Sequence, residues 1–172
     1  EDTITAVLGN SGYYVSVESS GGQTWTALDS INGGAGSDTM NVLDLGQDLY
    51  DSNTLYTTGN SIPAGTVVTS VETINIRAAA DVGVIAGQTI ESFDVSDFAG
   101  LTSLNVIQAV NVNVTAGEGT AVSVSGTTGD TTLTGGASQT VTSGAAVTAS
   151  DSVGAVAVSG VTGNINIDDG TS

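Results

Sequence analysis

The side chains able to do chemistry in this chain are almost all carboxylates. Eighteen Asp and Glu stand against a single basic residue, Arg77, and there is no lysine, histidine or cysteine, for a formal net charge of −17. Nucleophilic triads lack their base. Zinc sites of Cys or His and disulfides are equally excluded. Paired carboxylates, as in glycoside hydrolysis, are the one catalytic device left. Asp94/Asp97 and Asp168/Asp169 are the pairs at hand, but the chain from residue 71 on holds no tryptophan to stack a sugar. No enzymatic activity is expected. Carboxylates and backbone carbonyls do suit hard cations such as calcium. The stretch Asn32-Gly33-Gly34-Ala35-Gly36-Ser37-Asp38-Thr39-Met40-Asn41 places glycines and an aspartate where such an ion needs them. Residues 33–41 match the pattern G-G-x-G-x-D-x-U-x at every fixed position, with Met40 as the apolar U. Glycines permit the left-handed backbone that turns carbonyls inward. A full calcium shell takes about six to eight oxygens, so a neighbouring segment must add ligands. The expected metal site comprises Gly33, Gly34, Gly36 and Asp38, with Asp29 and Asp44 as added ligands and Glu72 as a further candidate.

These residues need a scaffold, and the spacing of apolar residues describes one. From Ile74 onward, inward-facing pairs recur at i, i+2: Ile74/Ile76, Val82/Val84, Phe93/Val95, Leu104/Val106, Val112/Val114, Val122/Val124, Thr131/Leu133, Gln139/Val141, Val147/Ala149, Val156/Val158 and Ile165/Ile167. The pairs start about nine residues apart and are separated by glycine-rich turns. So short a period favours a solenoid over a sandwich, which needs longer strands and heavier side chains. Hydrophobic residues make up 39% of the chain but are mostly Val and Ala, which suits a thin core repeated along an axis. The expected fold is all-β: a β-solenoid, of β-helix or β-roll type, with an N-terminal β-rich cap that carries the calcium turn. The expected division is a head over residues 1–70 and a ladder over 71–172. In the head, Thr3 to Leu8 and Tyr13 to Val17 read as strands, and Leu43, Leu45, Leu49 and Tyr50 as one short helix. No apolar run approaches the roughly 18 residues of a membrane span.

The glycine–aspartate stretch resembles the repeats-in-toxin (RTX) nonapeptide of type I secreted bacterial proteins. The succession LDSINGGAGSDTMNVLDL, AGTVVTSVETINI and FAGLTSLNV is similar in organisation to RTX-type S-layer and large surface proteins of Gram-negative bacteria. The chain departs from that pattern in carrying one full nonapeptide where tandem copies are usual; Gly135-Gly136 begins a second that lacks the aspartate.

The resemblance implies an extracellular or cell-surface structural protein that binds calcium and assembles with copies of itself into an S-layer or a biofilm-matrix filament. The alternative is an adhesin module holding a cell-surface glycan or partner. A third is the calcium-dependent terminal domain of a secreted enzyme. The acidic balance excludes the basic footprint of a nucleic-acid binder and disfavours anionic membranes. The chain opens on EDTIT and closes on IDDGTS just past a strand-like segment, as expected of a processed product or a piece of a longer chain.

Overall fold

In the computed structural model, residues 2–10, 24–51, 54–83 and 91–168 are described. Among them the chain is all-β, without a helix. In chain order the strands are β1 (Thr3–Asn10), β2 (Ser30–Asn32), β3 (Thr39–Asp51), β4 (Thr54–Thr58), β5 (Val67–Thr69), β6 (Thr73–Ala78), β7 (Phe93–Asp94), β8 (Ser103–Gln108), β9 (Val112–Ala116), β10 (Ala121–Val124), β11 (Thr131–Gly135), β12 (Ser138–Val141), β13 (Val147–Ser150), β14 (Val156–Val158) and β15 (Ile165–Asp168).

They form two long parallel ladders and a small two-stranded one. The first sheet runs β1-β3-β6-β8-β10-β12-β14, with β4 an antiparallel partner of β3. The second runs β15-β13-β11-β9-β7, and β2 pairs β5 in the third. From β8 onward successive strands alternate between the two long sheets. The chain therefore returns to the first sheet once per two strands. Each return takes 18 residues from Ser103 to Ala121 and 17 from Ala121 to Ser138. Two strand-to-strand steps of about nine residues account for the spacing seen in the sequence. Earlier returns are longer: 36 residues from Thr3 to Thr39, 34 to Thr73 and 30 to Ser103.

Register explains which side chains are inside. Alternate residues of a strand face opposite ways, and in-register parallel pairing stacks like positions into columns. In the first sheet Ile4, Met40, Ile74, Leu104, Val122, Gln139 and Val156 form one column, and Ala6, Val42, Ile76, Val106, Val124, Val141 and Val158 the next. In the second sheet Val82, Val112, Thr131, Val147 and Ile165 align, as do Phe93, Val114, Leu133, Ala149 and Ile167. The inner members of these columns are the core. Near β7 the core gains an aromatic group: Trp25 meets Phe93 edge-on with ring centroids 6.2 Å apart, and Phe98 at 6.5 Å. Corners are tied by short polar side chains. Asp81 Oδ1 accepts from the Asn111 backbone N–H at 2.9 Å, Asn111 Oδ1 from Asp130 N–H at 2.8 Å, and Asp130 Oδ1 from Ala146 N–H at 3.1 Å.

One expectation is corrected. The leucines at 43, 45 and 49 lie in β3, an extended strand of 13 residues, and not in a helix. Parallel partners on both sides, β1 and β6, hydrogen-bond β3 through Asp44, and tertiary pairing of this kind overrides local helix propensity. The first sheet also crosses the expected division near residue 70 without a break, since β3 and β6 are neighbours. The expected strand over Tyr13 to Val17, as well as Val84 and Asp169, lie outside the described residues.

Candidate functional site: the glycine–aspartate turn

The turn joins β2 to β3, and each of its glycines has a separate reason. Gly33 is buried; its N–H donates to the Thr69 carbonyl at 3.0 Å, and a β-carbon there would collide with the Ser70 carbonyl oxygen. Gly34 and Gly36 have φ of 90° and 130°, values that L side chains rarely adopt. The Gly34 N–H donates to the Asn32 side-chain oxygen at 2.9 Å, closing the bend. Met40 is then fully buried in the inward column of β3.

Asp38 is the centre of the arrangement. It is buried, and its backbone N–H donates to Glu72 Oε2 at 2.7 Å, while its carbonyl accepts from the N–H groups of Glu72 and Thr73 at 3.2 and 3.1 Å. These bonds lock the turn onto the entry to β6. Of the carboxylate, Oδ1 accepts from the Asp2 N–H at 2.5 Å. Oδ2 is buried without a partner among the described residues. A buried carboxylate oxygen left bare is costly, and a hard cation is the partner that such an oxygen suits. The Glu72 carboxylate and the turn's carbonyls share its chemistry. Among the described residues no three acids gather as a metal cluster. An ion at this turn would draw on Asp38, and on backbone carbonyl or water oxygens for most of its shell.

The other expected ligands stand elsewhere. Asp29 is at the far end of β2 from the glycines, and its Oδ2 accepts from the Thr26 N–H at 2.7 Å and the Thr26 hydroxyl at 3.1 Å. Asp44 lies six residues along β3 from Asp38, about 20 Å at the rise of an extended strand. It is inward because it continues the alternation of Met40 and Val42 along β3. There its Oδ1 accepts from Gly46 N–H at 2.9 Å and Asn60 Nδ2 at 2.5 Å, and its Oδ2 from Asn60 N–H at 3.0 Å. Burial raises its pKa above the usual carboxylate value, and the charge of Asp81 pushes the same way. The structure brings Glu72 to Asp38 and leaves Asp29 and Asp44 apart from it.

A second polar feature escaped the sequence reading. Asn41, Asn75 and Asn105 occupy one register row on the outer face of the first sheet. Asn75 Nδ2 donates to Asn41 Oδ1 at 3.0 Å, and Asn105 Nδ2 to Asn75 Oδ1 at 3.0 Å. The signal was present as Met40-Asn41-Val42, Ile74-Asn75-Ile76 and Leu104-Asn105-Val106, an asparagine between two inward apolar residues three times over. Comparison of the chain with protein-family models, with curated proteins and with solved structures finds no match.

Proposed function

We propose that this chain is a structural unit of a bacterial surface layer or extracellular matrix fibre. It is a two-sided β-solenoid that winds through the two long ladders, steadied by calcium at the Gly33–Asp38 turn and extended by contact with further copies of itself. The reading places it outside the cell, where calcium is plentiful and a surface of carboxylates is readily neutralised.

The observation that carries this reading is at the last strand. Ile165 and Ile167 continue the columns that bury Val147 and Ala149, yet they are 50% and 44% exposed. They are inward residues of a rung whose outer side is bare among the described residues. Beside them, among the described residues, β14 stands at one end of the first sheet and β1 at the other. Val156 and Val158 of β14 belong to the same two columns as Ile4 and Ala6 of β1. A copy adding its β1 to β14 in parallel continues both columns. Such strand addition is held by main-chain hydrogen bonds. A head-to-tail contact of this kind does not close on itself, so it propagates as a fibre or sheet. Among the described residues no helix is long and apolar enough to cross a membrane.

Electron microscopy and sedimentation across a calcium titration test the reading. Assemblies are expected with calcium and not with chelator, and Ile165→Asp combined with Ile167→Asp should leave the chain monodisperse with its strand content unchanged. A wild-type chain that stays a monomer in millimolar calcium, or a double variant that assembles as well as wild type, would refute it.

A further inference from the structure

The one cation of the chain is placed as if to be used. Arg77 is exposed on the outer face of β6, two residues beyond Asn75 on the same side of the strand. Despite 18 acids in the sequence, it makes no ion pair among the described residues. The pairing of β6 with β8 slips at this point: Ile76 aligns with Val106 but Arg77 with Gln108, so Ile107 is an extra residue. A bulge of this kind bends the strand and re-aims its side chains. Beside it lies a cavity of about 250 Å³ over the sheet, lined by Thr5, Asn41, Asn75, Leu43, Arg77 and Ile107. Among the described residues no acid lines it, in a chain of net charge −17.

We propose that this cavity holds a single carboxylate-bearing sugar ring, a uronate unit of an acidic glycan. A guanidinium presents a planar fork that meets one carboxylate through two parallel hydrogen bonds. The asparagine row stands beside it. Its internal bonds leave the Asn41 amide N–H group as a donor at one end, and neighbouring amides repeat at the strand spacing of about 4.8 Å. With the Thr5 hydroxyl they supply both donors and acceptors for ring hydroxyls. Leu43 and Ile107 give the C–H faces of the ring an apolar wall. The volume matches one ring and no more, being below the usual range for larger ligands. One guanidinium balances one carboxylate; a dianionic phosphate would add uncompensated charge to an already acidic surface. The site lies on the outer sheet face and reaches the edge strand β1 through Thr5; its test reads ligand binding, which the assembly reading does not predict.

Two properties of the sequence make the test direct. Arg77 is the sole arginine, and lysine is absent, so modification by phenylglyoxal, read by intact mass, reports one side chain. A saturating galacturonate trisaccharide, with calcium held constant, is expected to slow that modification at least fivefold; the carboxyl-reduced trisaccharide should not. By calorimetry the trisaccharide should bind wild type saturably, Arg77→Gln at least tenfold more weakly, and Arg77→Lys between the two. Circular dichroism checks that each variant keeps its strands. Binding undiminished in Arg77→Gln would mean that bound calcium bridges the acid, and would overturn the proposal. Equal competition by acetate or by an acidic peptide would overturn the sugar assignment, as would the absence of saturable binding or of protection.

Discussion

At the scale of single residues, two buried aspartates do opposite work. Asp38 keeps an oxygen without a partner among the described residues, whereas Asp44 has both oxygens occupied by Gly46 and Asn60. Calorimetry should therefore separate them: Asp38→Asn is expected to lose the heat of calcium binding, and an unchanged isotherm would remove Asp38 from the ligand set. Asp44 is expected to report through pH instead. Burial first, then Asp81, raise its folded pKa above the ordinary 3.8, so the folded state holds the proton more tightly than the unfolded chain. The stability that this group contributes is complete below pH 3.8 and is lost as the pH rises through the raised value. The melting temperature of wild type relative to Asp44→Asn should fall across that window and then level off. A difference that does not move with pH would show that burial leaves this carboxyl's proton affinity unchanged.

At the scale of the strand, the columns tolerate polar residues unevenly. Gln139 sits fully buried between Val122 and Val156 and donates through Nε2 to the carbonyls of Gly135 at 2.7 Å and Ser150 at 3.0 Å, tying the start of β12 to the ends of β11 and β13, while its Oε1 has no partner among the described residues. Thr131 occupies the equivalent place between Val112 and Val147, but its buried hydroxyl has no partner among the described residues. An unpaired buried hydroxyl carries its desolvation cost with no compensating bond. Thr131→Val, of nearly the same shape, is expected to stabilise the chain by about 1 kcal/mol in urea denaturation; a loss of stability would show that the hydroxyl is bonded in solution. The asparagine row is the opposite case. It sits on an outer face where each amide satisfies the next, which lets three polar residues line up across β3, β6 and β8 without burying an orphan.

At the scale of the whole molecule, charge is strongly one-sided. Eighteen acids, offset by one base, repel one another more strongly in the compact state than in the unfolded chain. Monovalent salt screens that repulsion, with a Debye length of about 8 Å at physiological ionic strength. The melting temperature should rise as sodium chloride is increased from about 10 mM to about 150 mM, the reverse of a protein held by surface ion pairs. Calcium at matched ionic strength should raise it further if the turn binds the ion. A melting temperature that is flat or falling with salt would show that self-repulsion does not weigh on this fold. The same charge bears on the ends of the ladders. If copies meet there as proposed, exposed apolar residues such as Ile165 and Ile167 would favour the contact and the acidic surface would oppose it until a counterion screens the charge.

The sequence alone determined the strand-facing pattern and the glycine turn. Whether Ile74, Val122 or Ala149 points inward is a matter of period two within one strand, a local property that needs no partner. The left-handed glycines and buried Met40 next to Asp38 are local in the same way. Only the tertiary structure decided which strands are neighbours, because partners such as Thr3 and Thr39, or Thr73 and Ser103, are 36 and 30 residues apart and their register depends on packing that no short window contains. That register turned the leucines of β3 from helix to strand, sent Asp44 into the core, drew Glu72 and not Asp29 to the turn, and set Asn41, Asn75 and Arg77 around one cavity. Spacing along a chain says which way a side chain faces; what it meets there is set by the strand laid beside it.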